Sequence, residues 1–377
     1  MARTITVHSG GIRLLDKFIS INWILLFLVT CVACVGFTAL YSAGGGNFNP
    51  WASKQIMRFV VGLIAAIIIA LIDIKFWYRM TWPIYLVGFA MLVGVEVMGQ
   101  MGMGAQRWIN LGFMQLQPSE LMKIAVVMAL AKYFHSATIE DMRRLTFLVI
   151  PSFIILAPVG LVLLQPDLGT SLMIIMSGIA MFFIAGASIW LFIGGGVLAA
   201  ASIPIAWSFM HEYQKKRVRT FLDPESDPLG SGYHITQSKI ALGSGGMEGK
   251  GFLQGTQSHL NFLPEKQTDF IFTLWAEEWG FIGGVALLCL FALIFFHGLW
   301  IGFSVKHNFG RYLAVGLMIN FSLYIFINIG MVMGLMPVVG APLPLISYGG
   351  TSMLAALISF GLMISAYVHK DSRVNRF

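Results

Sequence analysis

A chain of 377 residues that is 57% hydrophobic and only 11% charged is not an ordinary soluble domain, since such domains carry about 25% charged residues. Its apolar runs are continuous and recur at close to the roughly 20 residues that cross a bilayer. That excludes a β-barrel, whose strands alternate over about ten residues. The net charge of +7 is distributed among short loops and termini, a pattern that reports membrane topology rather than a nucleic-acid partner.

In chain order the apolar runs predict ten membrane helices, over roughly 20–43, 56–73, 77–97, 120–134, 145–164, 169–186, 188–208, 269–298, 310–335 and 351–369. The expected fold is an all-α polytopic membrane protein, one integral domain over 1–377 with a large loop at 209–267, between the seventh and eighth spans. Arg3, Arg13, Lys17, Lys75, Arg79, Lys132, Arg143, Arg144, Lys306, Arg311 and Lys370 fall at the termini and in alternate short loops. The positive-inside rule then places both termini in the cytoplasm and the long loop outside. Lys215, Lys216, Arg217 and Arg219 in that loop run against the rule, as long loops are permitted to do. The first span is too long for a secretory signal core and reads as an uncleaved helix. Cys31 and Cys34 form a CxxC on that span with no histidine or second pair beside it, so they and Cys289 read as packing residues.

The segment Gly104 to Gly112 carries Arg107, whose planar fork suits phosphate or carboxylate, the alternative being an interfacial anchor. The fourth span is short and charged at its start, which predicts a helix packed against protein rather than lipid. Its Glu120 and Lys123 are three residues apart on one face. An ionisable group at membrane depth needs a reason, and two stand open: a structural ion pair, or the lining of a polar cavity that accepts a head group. Pro151, Pro158 and Pro166 predict a kink and a turn in and after the fifth span. Asp167 in that turn reads as the N-cap of the next helix.

The long loop contains Phe221, Leu229, Tyr233, Ile235, Ile240, Phe252, Leu253, Leu260 and Phe262, enough apolar surface for a structured cap. Residues 235–242 suit a short amphipathic helix, and the glycines at 243–246 and 249–251 suit tight turns or close backbone approach. The loop closes on Asn261 to Asp269, a polar stretch ending on a carboxylate where apolar sequence resumes. A carboxylate at that boundary suits a molecule with a greasy tail and a polar head. The plainer reading is a helix cap favoured by the helix dipole. Glu277 lies eight residues on, near the same face. Either it and Glu278 bind a cation together with Asp269, or both pair with basic groups elsewhere. Residues 337–352 hold three prolines, hence re-entrant or irregular backbone, which survives at membrane depth only under protein or beside a wet cavity. No P-loop, nucleotide-binding glycine fingerprint or zinc-type cluster occurs, which argues against an ATP-driven transporter.

Taken together, these blocks resemble the SEDS family (shape, elongation, division and sporulation). The resemblance rests on Gly104 to Gly112, Gln117 to Lys123, Gln165 to Thr170, Leu222 to Gly230, Gly232 to Lys239, Leu263 to Phe272 and the final proline and glycine run after Asn328-Ile329-Gly330. These blocks follow the family's order over nearly the whole chain. Lys239 to Gly251 and Gly255 to Ser258 are more similar to the elongation branch than to the division branch.

The resemblance implies ten helices in the cytoplasmic (inner) membrane and a peptidoglycan glycosyltransferase with its active face outside. Such an enzyme polymerises lipid II into glycan strands during cell elongation and releases undecaprenyl pyrophosphate. The implied partners are a class B penicillin-binding protein transpeptidase and other membrane proteins of the elongation complex. The family's essential loop Asp falls on Asp269, and its cavity Glu and Lys fall on Glu120 and Lys123. Inversion at an α-linked pyrophosphate requires a general base, expected at Asp269. The leaving group requires positive charge, from Arg107, Lys123, a loop residue such as Lys239, or a divalent cation such as Mg near Asp269. Gln257 completes the expected substrate-binding set, and no other cofactor is called for. The rival reading is a lipid II flippase, which would use the same polar pair at mid-membrane, and a third is a scaffold for wall synthesis.

Overall fold

The computed structural model describes residues 13–372 and 374, apart from 99, 103–104, 111, 113–114, 139, 211, 225–226, 228–229 and 260–264. The elements are α1 (Leu14–Ile19), α2 (Trp23–Ala43), α3 (Ala52–Leu71), α4 (Ile74–Met98), β1 (Gln100–Gly102), β2 (Ala105–Asn110), β3 (Gln115–Leu116), α5 (Pro118–His135), α6 (Leu145–Leu164), α7 (Leu168–Ile184), α8 (Ile189–Phe209), α9 (Glu212–Leu222), α10 (Ser231–Ser244), α11 (Thr256–His259), α12 (Ile271–Ser304), α13 (Asn308–Val332) and α14 (Gly350–Val368). Seven of these, α2, α3, α4, α6, α12, α13 and α14, are long and apolar enough to cross a membrane, and α7 and Ile189–Ile205 of α8 are shorter apolar helices.

As expected for a charged, short span, α5 is buried along almost its whole length, packed among α4, α6, α7 and α13. Small residues let the helices approach closely. A Cβ added to Gly302 of α12 would lie 2.5 Å from Val315 Cγ2 of α13, and one on Gly62 of α3 would lie 2.5 Å from Leu357 Cδ1 of α14. The eighth helix behaves differently: Trp190, Leu198 and Ile203 are all exposed, as is most of its surface. The sixth runs through Pro151 and Pro158, and the predicted turn falls at Pro166.

Two departures from an all-helical reading bear on the site. Around Arg107 the chain forms a small antiparallel meander, β1-β2-β3, pairing Gln100 with Trp108 and Ile109 with Leu116. This polar stretch is too short to span and pairs its backbone locally. After α13, residues 333–349 are irregular, as the prolines predict, and 341–347 are covered by protein. Leu343, Leu345 and Ile346 are buried, and a Cβ on Gly36 of α2 would come 2.7 Å from Ile346 Cα.

The large loop is structured where described. α10 contains the predicted helix and docks on α12 and α13, with Ser238 Oγ donating to Val332 O at 2.9 Å and lying 2.8 Å from Thr273 Oγ1. Ile235 is buried there, but Ile240, Phe252 and Leu253 are exposed, and Leu229, Leu260 and Phe262 lie outside the described residues.

Candidate active site

Asp269 lies in the turn before α12. The N-cap of that helix is Phe270, and no side chain caps it, so Asp269 is not there as a cap. The turn is pinned by its main chain instead. Three successive carbonyls accept hydrogen bonds: Gln267 O from Tyr348 N at 2.8 Å, Thr268 O from Ser347 Oγ at 2.6 Å, and Asp269 O from Asn328 Nδ2 at 2.9 Å. The Asp269 side chain is half-buried beside Gly340, whose added Cβ would meet Oδ2 at 3.4 Å. Among the described residues none donates a hydrogen bond to its carboxylate or forms an ion pair with it. Burial raises its pKa from 3.8 to about 6, the nearby Glu265 charge adds to the rise, and Arg217 opposes it. Such a group is ionised at neutral pH yet remains a useful base.

Glu120 is satisfied on both oxygens. Lys123 Nζ donates to Oε1 at 2.8 Å, and Tyr324 OH donates to Oε2 at 2.6 Å. The ammonium also stands 4.2 Å from the Tyr324 ring centroid, a cation–π contact. Glu120 and Lys123 are both buried, so the ion-pair reading is realised. Glu120 also borders a small cavity that it lines with Asn320, Tyr324, Pro342, Pro344 and Ser352. One loop unites the two acids. Its Pro342 and Pro344 line this cavity, its Gly340 flanks Asp269, and its Ala341 O accepts from Asn328 Nδ2 at 2.6 Å. Arg58 joins the same loop, its guanidinium carbon 4.8 Å from the Tyr348 ring centroid.

The remaining predicted residues stand in separate settings. Lys239 is exposed on α10 and lies over Gly334, where an added Cβ would be 2.1 Å from its Cε, so it borders the start of the same loop. Arg107 instead holds the turn before α7. Its Nε donates to Gln165 O at 3.4 Å and its Nη2 to Pro166 O, with Asp167 Oδ2 at 3.7 Å. Asp167 caps α7 as expected, accepting from Thr170 N at 3.1 Å.

Gln257 belongs to a cluster around Glu277. Its backbone N donates to Glu277 Oε1 at 2.8 Å, as does Lys250 Nζ at 2.8 Å. Glu277 thus takes the second of its two readings, pairing with a loop cation. Beside it α12 is broken at Gly280, φ 63°, and the loop supplies the missing partners. Lys250 N and Gly251 N donate to Glu277 O and Glu278 O, both at 3.0 Å, while Phe281 N donates to Gly246 O at 2.9 Å. The predicted close approach of the glycine cluster is real: an added Cβ on Gly249 would sit 2.1 Å from Glu278 O.

Sequence reasoning did not single out Tyr324, Asn328 or Ser347 as site residues. Their signal was present for Asn328, a polar side chain inside an apolar run, which must find partners there. As for a cation, no three His, Cys, Asp or Glu side chains among the described residues stand together as metal ligands.

Residues 14–372 match the cell cycle protein family of FtsW, RodA and SpoVE. The chain is 44% identical over 347 residues to peptidoglycan glycosyltransferase MrdB of Escherichia coli K12, covering 91% of this chain and 93% of that one. It is 33% identical over 376 residues to stage V sporulation protein E of Bacillus subtilis, covering 96% and 99%. Among solved structures it is similar to a chain of a peptidoglycan synthase complex in which polymerization and crosslinking are coordinated, with TM-score 0.83, 31% identity and 94% and 99% coverage. It is also similar to rod shape determining protein RodA of Thermus thermophilus, with TM-score 0.70, 28% identity and 94% and 98% coverage.

Proposed function

The chain belongs to the FtsW/RodA/SpoVE family, and from that premise we propose that it is the peptidoglycan glycosyltransferase of cell elongation, polymerising lipid II with Asp269 as general base. The observation that carries the assignment of the base is the setting of Asp269: a carboxylate with a pKa near 6, held by its main chain and with no donor on its oxygens among the described residues.

In this reading the acceptor sugar's 4-hydroxyl attacks the anomeric carbon of the donor. Asp269 takes the hydroxyl proton as the new C–O bond forms, and the old bond to undecaprenyl pyrophosphate breaks with inversion. The departing pyrophosphate needs positive charge. Lys123 is committed to Glu120 and Arg107 to the turn before α7 and Asp167, so Lys239 is the better candidate among the predicted residues. Glu120 and Gln257 act on substrate through the cavity wall and the loop respectively. A divalent cation near Asp269 would supply positive charge to the pyrophosphate, but the described residues bring no cluster of acidic or histidine side chains together to hold one. No step here depends on it.

The topology that fits this chemistry is ten crossings within a single integral domain: the seven long helices, α5, α7 and α8. Both termini are then cytoplasmic, and the 209–267 loop and Asp269 face outward. The partner is a class B penicillin-binding protein, a proposal supported by the similarity to a chain of a peptidoglycan synthase complex. The test is polymerisation of labelled lipid II by wild type and Asp269→Asn, each purified with that partner and with its transpeptidase blocked. Glycan ladders from wild type alone support the assignment, and equal ladders from both remove Asp269 from the chemistry. No ladders from either, with the complex intact, put a flippase or scaffold in front.

A further inference from the structure

We propose that Asn328 is the positioning residue for Asp269, placing the carboxylate by gripping its backbone carbonyl; this rests on the reading of Asp269 as the base. Asn328 is completely buried in the last turns of α13. Its Nδ2 donates at once to Asp269 O at 2.9 Å and to Ala341 O at 2.6 Å. With carbonyls as both partners, the amide has only one possible orientation. One side chain therefore ties together three segments: α13, the turn that carries Asp269, and the loop that lines the Glu120 cavity.

The arrangement answers a chemical conflict. A base must be held in place, but hydrogen bonds donated to a carboxylate stabilise its charged form and lower its basicity. Gripping the carbonyl fixes the residue and leaves the oxygens of the side chain available. Ser347 and Tyr348 treat the two preceding carbonyls in the same way, but among the described residues only Asn328 donates to Asp269 O.

The experiment uses full-length protein with its penicillin-binding partner, comparing wild type, Asn328→Leu and Asn328→Asp. Asn328→Leu removes both donors, and Asn328→Asp keeps the volume while leaving at most one donor in its protonated form. Polymerisation of lipid II is followed from pH 5 to pH 9, alongside thermal unfolding and recovery of the complex. Asn328→Leu is expected to lose turnover by about 100-fold, the scale of a misplacement near 1 Å, with KM for lipid II changed less than about threefold. Asn328→Asp should fall between it and wild type. In Asn328→Leu, which adds no charge beside Asp269, the acid limb of the pH profile should move to lower pH as the turn relaxes toward water. Turnover within about threefold of wild type in whichever variant folds overturns the proposal, as does lost turnover with an unmoved acid limb in Asn328→Leu. Failure of both variants to fold also overturns it, because it makes Asn328 a folding residue. Asp269→Asn, run in parallel, separates the two readings. If it polymerises like wild type, the base assignment fails, whereas if it is inactive while Asn328 variants behave normally, only the positioning role fails.

Discussion

Two acids, Glu120 and Asp269, face the same proline-rich loop and are treated in opposite ways. Glu120 has a lysine on one oxygen and a tyrosine on the other. Asp269 has all its described hydrogen bonding on the main chain. Charge buried inside the protein is tolerated when its partners are supplied at once. Asp269 bears the cost of partial desolvation without that compensation, and the cost appears as a raised pKa. The contrast sets an acid whose two oxygens are both bonded within the bundle against one whose oxygens accept no hydrogen bond among the described residues.

The largest expected effect breaks the comparison at Asp269. Asp269→Asn should reduce lipid II polymerisation by about 10²–10⁴-fold, the usual contribution of a general base. The same change should leave the protein at least as stable as wild type at neutral pH. A carboxyl raised to about 6 in the fold stabilises it only when protonated, fully below its ordinary 3.8 and not above about 6. At pH 7 the ionised group is a net burden, and the amide removes it. A thermal midpoint clearly below wild type would return Asp269 to a structural role.

Next in size is the pH dependence of the wild type. With Asp269 as base, turnover should fall about tenfold per pH unit below pH 6, and lipid II binding should fall much less. A flat rate down to pH 5 would remove the base assignment.

Third come changes that break Glu120. Glu120→Gln strands the Lys123 ammonium, and Lys123→Met strands the carboxylate, each at about 3–5 kcal/mol of stability. Replacing both, by Leu and Met, should cost less than either single change. If the double variant is stable yet makes no polymer, the pair contacts substrate as well as holding the bundle.

The sequence carried much of this, unevenly. Seven of the predicted spans were legible because long apolar runs have little alternative to a membrane helix, and the charged start of α5 foretold its burial. Asp269 stood out because a carboxylate marked the point where a polar loop gives way to apolar sequence. What stayed hidden were relationships between distant segments. Glu277 offered two readings until Lys250, 27 residues earlier, was found on it. Gly280 breaks α12 while Gly283 and Gly284 do not, a choice made by the loop backbone that bonds across the break. Asn328 announced only that it must be satisfied, not that one of its two partners would be Asp269 O.

The smallest effect is the most discriminating. Tyr324→Phe keeps the ring beneath the Lys123 ammonium and deletes only the hydroxyl that donates to Glu120 Oε2 across from α13 to α5. Hydrogen bonds between membrane helices are worth about 0.6 kcal/mol on average and up to about 1.7. If Glu120 is architectural, unfolding should shift by that amount, and polymerisation should stay within about threefold. A tenfold loss of polymerisation at unchanged stability would mean that the hydroxyl sets the charge or direction of Glu120 for a reacting group. The division between the paired acid and the available one would then fail, since both would face substrate.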